Sequence, residues 1–285
     1  MTSGRVWLIT GASSGFGREM TELVLNKGEI AVATARKPET LNDLKAKYPP
    51  SQLLVLRLDA NKVQEIKDVF AKIKGTFGRL DVVFNNAGWA FQGEVEAAPE
   101  DISRVMFDTN FWGASNVSLE SVKFFREVNR PVGGRLIVNS SQGGIYAYPG
   151  MGFYSASKHA LEGVTSALAQ ELDPEWNIKI TLLELGLFRT KVIDKLSELT
   201  FTHPAYTKAT LPSVATVAYF NDGTPKGADT SKAVQRIYDL AAEPEPSLRF
   251  PIGKDALESV RGEAKRILED AAKYESWSEG LEFDT

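Results

Sequence analysis

Arg5-Val6-Trp7-Leu8-Ile9-Thr10-Gly11-Ala12-Ser13-Ser14-Gly15-Phe16-Gly17 is the stretch from which the rest of the chain can be placed. A short apolar run ends at Thr10 and breaks into glycines, and apolar residues then return at helical spacing at Met20, Leu23 and Val24, up to Lys27. Strand, glycine loop, helix is a unit suited to phosphate. Glycines allow a tight turn and close backbone approach to a pyrophosphate, and a helix N-terminus offers free N–H groups at the positive end of its dipole. Gly11, Ser13, Ser14, Gly15, Phe16 and Gly17 are the candidate contacts. Gly11 to Gly15 also satisfies G-x-S-x-G, the nucleophile elbow of α/β-hydrolases, for which His159 or His203 and an acid would complete a triad. Position argues against that alternative, because an elbow follows a central strand of a sheet already partly built and Gly11 follows the first strand.

Outward from this unit, strand-like and helix-like segments alternate. A second strand, Ile30 to Ala35, ends at Arg36, where an acid would accept a ribose 2′-hydroxyl and an arginine accommodates a 2′-phosphate. Arg36 therefore points to NADP(H) as the cofactor, since guanidinium grips phosphate in a bidentate fork. Leu53 to Leu58 is a third strand closing on Asp59, which could face an adenine or cap the helix of Val63, Ile66, Val69, Phe70 and Ile73. The fourth strand, Leu80 to Phe84, runs into Asn85-Asn86-Ala87-Gly88, whose amides could pin strand ends and line a cofactor crevice. A long helix is expected from Pro99 to Asn129, with Val105, Met106, Val117, Leu119 and Phe125 among its apolar positions and Asn110 inside it. The fifth strand, Arg135 to Asn139, ends at Ser140-Ser141; the sixth, Ile178 to Glu184, ends at Leu185-Gly186-Leu187-Phe188-Arg189-Thr190; the seventh is Leu248 to Ile252.

The fold class read from this alternation is α/β, a Rossmann-like doubly wound parallel sheet of about seven strands with helices on both faces. One domain is expected over residues 1–285, with a loop-rich, aromatic insert at about 187–230 that suits a lid over a site, and a C-terminal helical extension at about 254–285.

Composition narrows the chemistry. The 285 residues include no cysteine and two histidines, so disulfides, thiolate nucleophiles and cysteine-ligated zinc are excluded and metal catalysis is disfavoured. A net charge of -4 without a dense basic run argues against a nucleic-acid partner. No apolar stretch reaches the ~20 residues of a membrane span, and Met1 to Gly4 leave no room for a signal peptide, so a cytoplasmic protein is expected.

Tyr154-Ser155-Ala156-Ser157-Lys158 supplies candidate catalytic groups. Four residues apart on a helix, the Tyr154 phenol and Lys158 ammonium share a face, and a cation beside a phenol favours the phenolate. Such a pair on its own often marks only a solvated face. Ser141, at a strand end facing this helix, is placed to bond the same substrate oxygen.

Taken together, these motifs resemble the short-chain dehydrogenase/reductase family in its single-domain branch of about 250 residues. TGASSGFG (Thr10 to Gly17) is similar to its cofactor loop, NNAG (Asn85 to Gly88) to its strand-end motif and YSASK (Tyr154 to Lys158) to its catalytic signature. The resemblance implies NADP(H)-dependent interconversion of an alcohol and a ketone or aldehyde, with a catalytic tetrad of Asn110, Ser141, Tyr154 and Lys158. Tyr154 would exchange the hydroxyl proton, Ser141 would orient the carbonyl, Lys158 would lower the phenol pKa and hold the nicotinamide ribose, and Asn110 would hold a water. Cofactor contacts would come also from Arg36, Asp59, Asn86, Ala87, Gly88, Gly186, Phe188 and Thr190. One departure is Leu185 where the family usually has proline. The small-molecule substrate is expected to be hydrophobic, and the long Pro99 to Asn129 helix and the Tyr154 helix resemble the family's association helices, implying a homodimer or homotetramer. The rival from another class is a non-catalytic NADP(H)-binding sensor or scaffold.

Overall fold

In the computed structural model, which describes residues 4–283, the elements follow in the order β1 (Val6–Ile9), α1 (Gly15–Asn26), β2 (Ile30–Ala35), α2 (Asn42–Lys45), β3 (Leu53–Arg57), α3 (Val63–Phe77), β4 (Val82–Asn85), β5 (Gln92–Gly93), α4 (Glu100–Phe107), α5 (Ala114–Glu127) and β6 (Gly134–Asn139). They continue through α6 (Gly152–Glu171), β7 (Ile178–Leu185), α7 (Lys191–Asp194), β8 (Thr200–Phe201), α8 (Pro212–Asn221), α9 (Thr230–Leu240), β9 (Arg249–Ile252) and α10 (Lys254–Lys273). The residues Met1 to Ser3 used in the signal-peptide argument lie outside the described ones.

Seven strands form one parallel sheet in the order β3-β2-β1-β4-β6-β7-β9, with β1 matched to β2 from Val6↔Ile30 to Ile9↔Ala33. Parallel pairing requires crossovers, and the helices that supply them bury both faces of the sheet. Alternation along β1 shows the two layers. Trp7 and Ile9 pack with Met20 and Val24 of α1 and Val234 and Ile237 of α9; Val6 and Leu8 pack with Ile66 and Ile73 of α3 and Val117 and Phe125 of α5. The chain leaves β1 toward β2 and β3, then returns to place β4 on its other side, so a crevice opens where the strand order reverses.

Three expectations need correction. The helix foreseen over Pro99 to Asn129 is interrupted by a π-helical turn at Asp108–Gly113, the turn that carries Asn110. Val105 and Leu119 are 48% and 54% exposed and so lie outside the core, as does Trp112. The segment between β7 and α9 contains ordered pieces: α8, and a two-residue parallel ladder joining β5 to β8. Apolar residues fall on every side of α8, which is why no period announces it.

Candidate active site

The strand ends at the crevice are tied together by short polar side chains. Buried Thr10 accepts hydrogen bonds through Oγ1 from the backbone N–H groups of Asn86 (2.8 Å) and Ala87 (2.9 Å). Asn86 Nδ2 donates to the Thr10 carbonyl at 2.9 Å, and Asn139 Nδ2 donates to Asn86 Oδ1 at 2.8 Å. The carboxyl ends of β1, β4 and β6 are thereby fixed as one rim. Asn85 turns the other way, donating to the Ala114 carbonyl at 2.7 Å, and anchors α5 instead.

Above that rim is a cavity of about 940 Å³. Gly11, Ser13, Ser14, Gly15 and Phe16 form one wall. Gly15 has φ +53°, and a side chain at Gly17 would place its Cβ 2.4 Å from the Gly11 carbonyl oxygen, so Gly17 closes the loop from behind without facing the cavity. Ser14 precedes α1 with no side-chain cap, and no acid occupies its first turn, so the N–H groups there are free for an anion. Thr190 touches this loop from the opposite side, and Phe188 packs edge-on to Phe16 at 5.3 Å.

At one end of the cavity are Ala35, Arg36, Leu58, Asp59 and Ala60. Arg36 is exposed and, among the described residues, has no ion-pair or hydrogen-bond partner. Asp59 accepts from Asn61 N at 3.1 Å in a local turn, while α3 starts after Lys62 without a side-chain cap. The capping role open to Asp59 on sequence is therefore not the one it plays.

At the other end are Ser141, Tyr154 and Lys158, together with Gly186 and Thr190. Ser141 Oγ accepts from Gly143 N at 3.0 Å, which holds the hydroxyl at the foot of a short turn. Lys158 is buried and donates to the Asn139 carbonyl at 2.7 Å. Burial pushes its pKa down to about 8, with Glu162 pulling it back. The Tyr154 phenol is pushed up by burial, and a hydrogen bond with Ser141 works the other way. In the protein's own atoms the ammonium is directed at a backbone carbonyl, and Ser141 is the group that favours the phenolate.

Asn110 is buried outside the cavity wall, where Oδ1 accepts from Trp89 N at 3.0 Å and Nδ2 donates to the Trp89 carbonyl at 2.8 Å. A Cβ on Gly88 would stand 3.1 Å from Asn110 Oδ1 and 3.7 Å from Lys158 Nζ, so the asparagine still packs behind the lysine across Gly88. Neither histidine lines this cavity: His159 bonds the Ser155 and Ile145 carbonyls, and His203 lies in a separate cleft. The hydrolase alternative has no base beside Ser13.

Sequence reasoning missed Asp255. From the first turn of α10 its Oδ2 accepts from Leu187 N at 2.7 Å and from Gln142 Nε2 at 3.0 Å, so it clamps the loop after β7 to the turn after β6. Leu185, in place of the family proline, closes β7 opposite Ile252 and is buried in the core. Ser259 extends the clamp, donating to Gln142 Oε1 at 3.1 Å and bonding the Tyr148 hydroxyl at 2.6 Å. No local signal marks these residues, since their partners are 68 to 117 positions away.

A reversal of strand order, with a glycine turn on one side of it and a strand-end carboxamide on the other, is the arrangement of dinucleotide-binding α/β proteins. Comparison with known proteins narrows this class. Residues 5–199 match the short chain dehydrogenase family. An oxidoreductase of Schizosaccharomyces pombe is 32% identical over 265 residues, covering 92% of this chain and 87% of that protein. A 3-ketodihydrosphingosine reductase of Bacteroides thetaiotaomicron is 32% identical over 252 residues, covering 87% and 88%. The solved short-chain dehydrogenase from Streptomyces avermitilis superposes with a TM-score of 0.85 at 32% identity, covering 99% of this chain and 100% of that one. Two more distant structures share the fold at 22% identity. One, from Burkholderia phymatum, is in complex with NAD (TM-score 0.77, covering 94% of this chain and 95% of that one). The other, from Burkholderia cenocepacia, is in complex with NADP (TM-score 0.71, covering 95% and 97%). The chain belongs to the short-chain dehydrogenase family and is an oxidoreductase by that membership.

Proposed function

We propose that this chain is an NADP(H)-dependent oxidoreductase that interconverts an alcohol with a ketone or aldehyde, acting as a carbonyl reductase on a hydrophobic substrate. The observation that carries the reading is the convergence of Ser141, Tyr154 and Lys158 on the same cavity as the glycine loop. The residues suit the dinucleotide. Free N–H groups of α1 and the glycine turn at Gly11 and Gly15, closed from behind by Gly17, would take the pyrophosphate, unpaired Arg36 a 2′-phosphate, and Lys158 the nicotinamide ribose. When bound, the cofactor supplies or accepts the hydride at the substrate carbon. Tyr154 gives its phenolic proton to the carbonyl oxygen in reduction and takes it back in oxidation, and Ser141 donates a hydrogen bond to that oxygen as charge develops. Burial keeps Tyr154 protonated at neutral pH, which suits reduction.

The walls beyond Tyr154 support an apolar substrate: Trp89, Met151, Leu187, Val192, Tyr219 and Phe220. The segment from about 187 to 230 acts as their lid, within a single domain. The similarity to a 3-ketodihydrosphingosine reductase agrees with a ketone substrate. Trp112 in the π turn, Leu119 on α5 and Val164 on α6 are exposed and favour a homodimer or homotetramer, and the enzyme is read as cytoplasmic. Among the described residues no helix is long and apolar enough to cross a membrane.

The deciding experiment is fluorescence titration with NADPH and NADH, followed by a screen of aliphatic, aromatic and polycyclic ketones for NADPH oxidation. Tight NADPH binding with turnover of a hydrophobic ketone is expected; tight binding without turnover across the panel would favour the sensor. Light scattering at micromolar concentration should give a dimer or tetramer mass, and a monomer would overturn the assembly. Reductase activity should fall as pH rises through about 8, where Lys158 loses its proton.

A further inference from the structure

Two carboxyl groups, one of them a helical turn from Lys158, are buried next to each other, and neither lines the cavity. Glu162 lies one turn beyond Lys158 on α6 and is 3% exposed; Glu184, on β7, is 0% exposed. Burying two carboxylates side by side is costly unless cations answer them. Arg249, at the start of β9, supplies one. Its NH2 group stands 3.1 Å from Glu162 Oε2 and its Nε 3.1 Å from Glu184 Oε1, while the rest of the guanidinium reaches solvent. One guanidinium cannot balance two carboxylates. Lys158, buried one helical turn before Glu162 on the same side of α6, is the other cation close to it, so the lysine of the active site adjoins this buried ion cluster.

The groups around Glu162 come from four elements. Lys158 is on its own helix, the Ser140 hydroxyl comes from the end of β6, Glu184 from β7 and Arg249 from β9. Gly144 lets them pack: a Cβ there would stand 2.8 Å from Ser140 Oγ and 3.0 Å from Glu162 Cγ. Burial pushes the Glu184 carboxyl up to about 7, with the Glu162 charge adding to the rise and Arg249 opposing it. Glu162 is also pushed up by burial, but Ser140, Arg249 and Lys158 all pull it back. Of the two, Glu162 has more partners favouring its charge.

We propose that Glu162, held by Arg249, is a positioning residue for the reaction: its carboxylate keeps the ammonium of Lys158 charged within the wall of the active site. This rests on the reading of Tyr154 and Lys158 as catalytic groups. The sign follows from the cluster. Without the Glu162 charge, burial acts on Lys158 unopposed and its proton is lost at lower pH.

The test is a pH profile of kcat/KM for the wild type, Glu162→Gln, Glu162→Asp and Arg249→Gln, alongside competitive labelling of lysines read by mass spectrometry, which reports the Lys158 titration without any substrate. Glu162→Gln should move the alkaline limb and the Lys158 labelling midpoint to lower pH by about one unit, roughly a tenfold loss of protonated lysine above both midpoints. Arg249→Gln should shift both the same way by less, because Glu162 then takes up a proton more readily. Glu162→Asp, which keeps the charge, should restore most of the shift. Should Glu162→Gln fail to unfold cooperatively, half-exposed Arg249 carries the same test. A labelling midpoint that stays put overturns the proposal even in an active enzyme, as does a uniform fall in kcat with the limb unmoved. A shifted midpoint in a protein that turns over no ketone sustains the electrostatic role of Glu162 and removes the catalytic reading beneath it.

Discussion

The side of the cavity proposed for the nucleotide and the side proposed for the substrate are built by different means. Around β1 and β4 every strand residue is buried, three strand ends share one network of side-chain amides and a threonine, and the walls are largely backbone. Across from it, α8 stands on the surface with Tyr219 47% exposed, and the loop after β7 is held by a carboxylate from the last long helix. The difference teaches where change is tolerated. A wall of main chain must match one invariant ligand, whereas a wall of side chains on a lightly anchored helix can be refaced without disturbing the sheet.

The largest effect should come where the two sides meet. Tyr154→Phe is expected to lower turnover by about 10²- to 10⁴-fold while NADPH titration is unchanged; persistence of turnover would remove Tyr154 from the chemistry. On the nucleotide side, Gly17→Ala forces a Cβ against the Gly11 carbonyl, so both NADPH and NADH should bind on the order of 10- to 100-fold more weakly, with a lower Tm. Unaltered binding would show that the glycine wall is less rigid than the contrast requires. Arg36→Ala should cost NADPH about 10-fold or more and NADH little, the magnitude of a charge-assisted contact. Equal losses for both would detach Arg36 from the 2′-phosphate. The smallest change belongs to the substrate side: Tyr219→Ala should raise KM for bulky ketones by up to about 10-fold and leave small ketones and cofactor affinity alone. A matching loss for NADPH would erase the distinction between the two sides.

The same contrast explains what could be read in advance. Buried parallel strands announce themselves as apolar runs such as Ile30 to Ala35, and turn residues such as Gly11 and Gly15 mark where each ends, so all seven strands of the sheet were legible. Helix α8 was not, because its apolar residues encircle it. The π turn at Asp108–Gly113 was hidden for another reason: one extra residue per turn leaves no mark in composition, yet it turns Asn110 toward Trp89. Spacing placed Tyr154 and Lys158 on a common face but could not show that Lys158 would turn to the Asn139 carbonyl. Charges brought together from distant strands, such as Glu184 and Arg249, leave no local pattern at all.

The Asp255 clamp also bears on how the protein is made. As the chain emerges in order, the sheet grows from β1 outward to β3, then from β4 through β6 and β7 on the other side, each new strand joining an existing edge. The glycine loop and Tyr154 both precede Asp255 in the chain. The loop that follows β7 has no carboxylate to hold it until residue 255 has been added. The shape of the loop after β7 therefore depends on a residue that follows the last strand of the sheet.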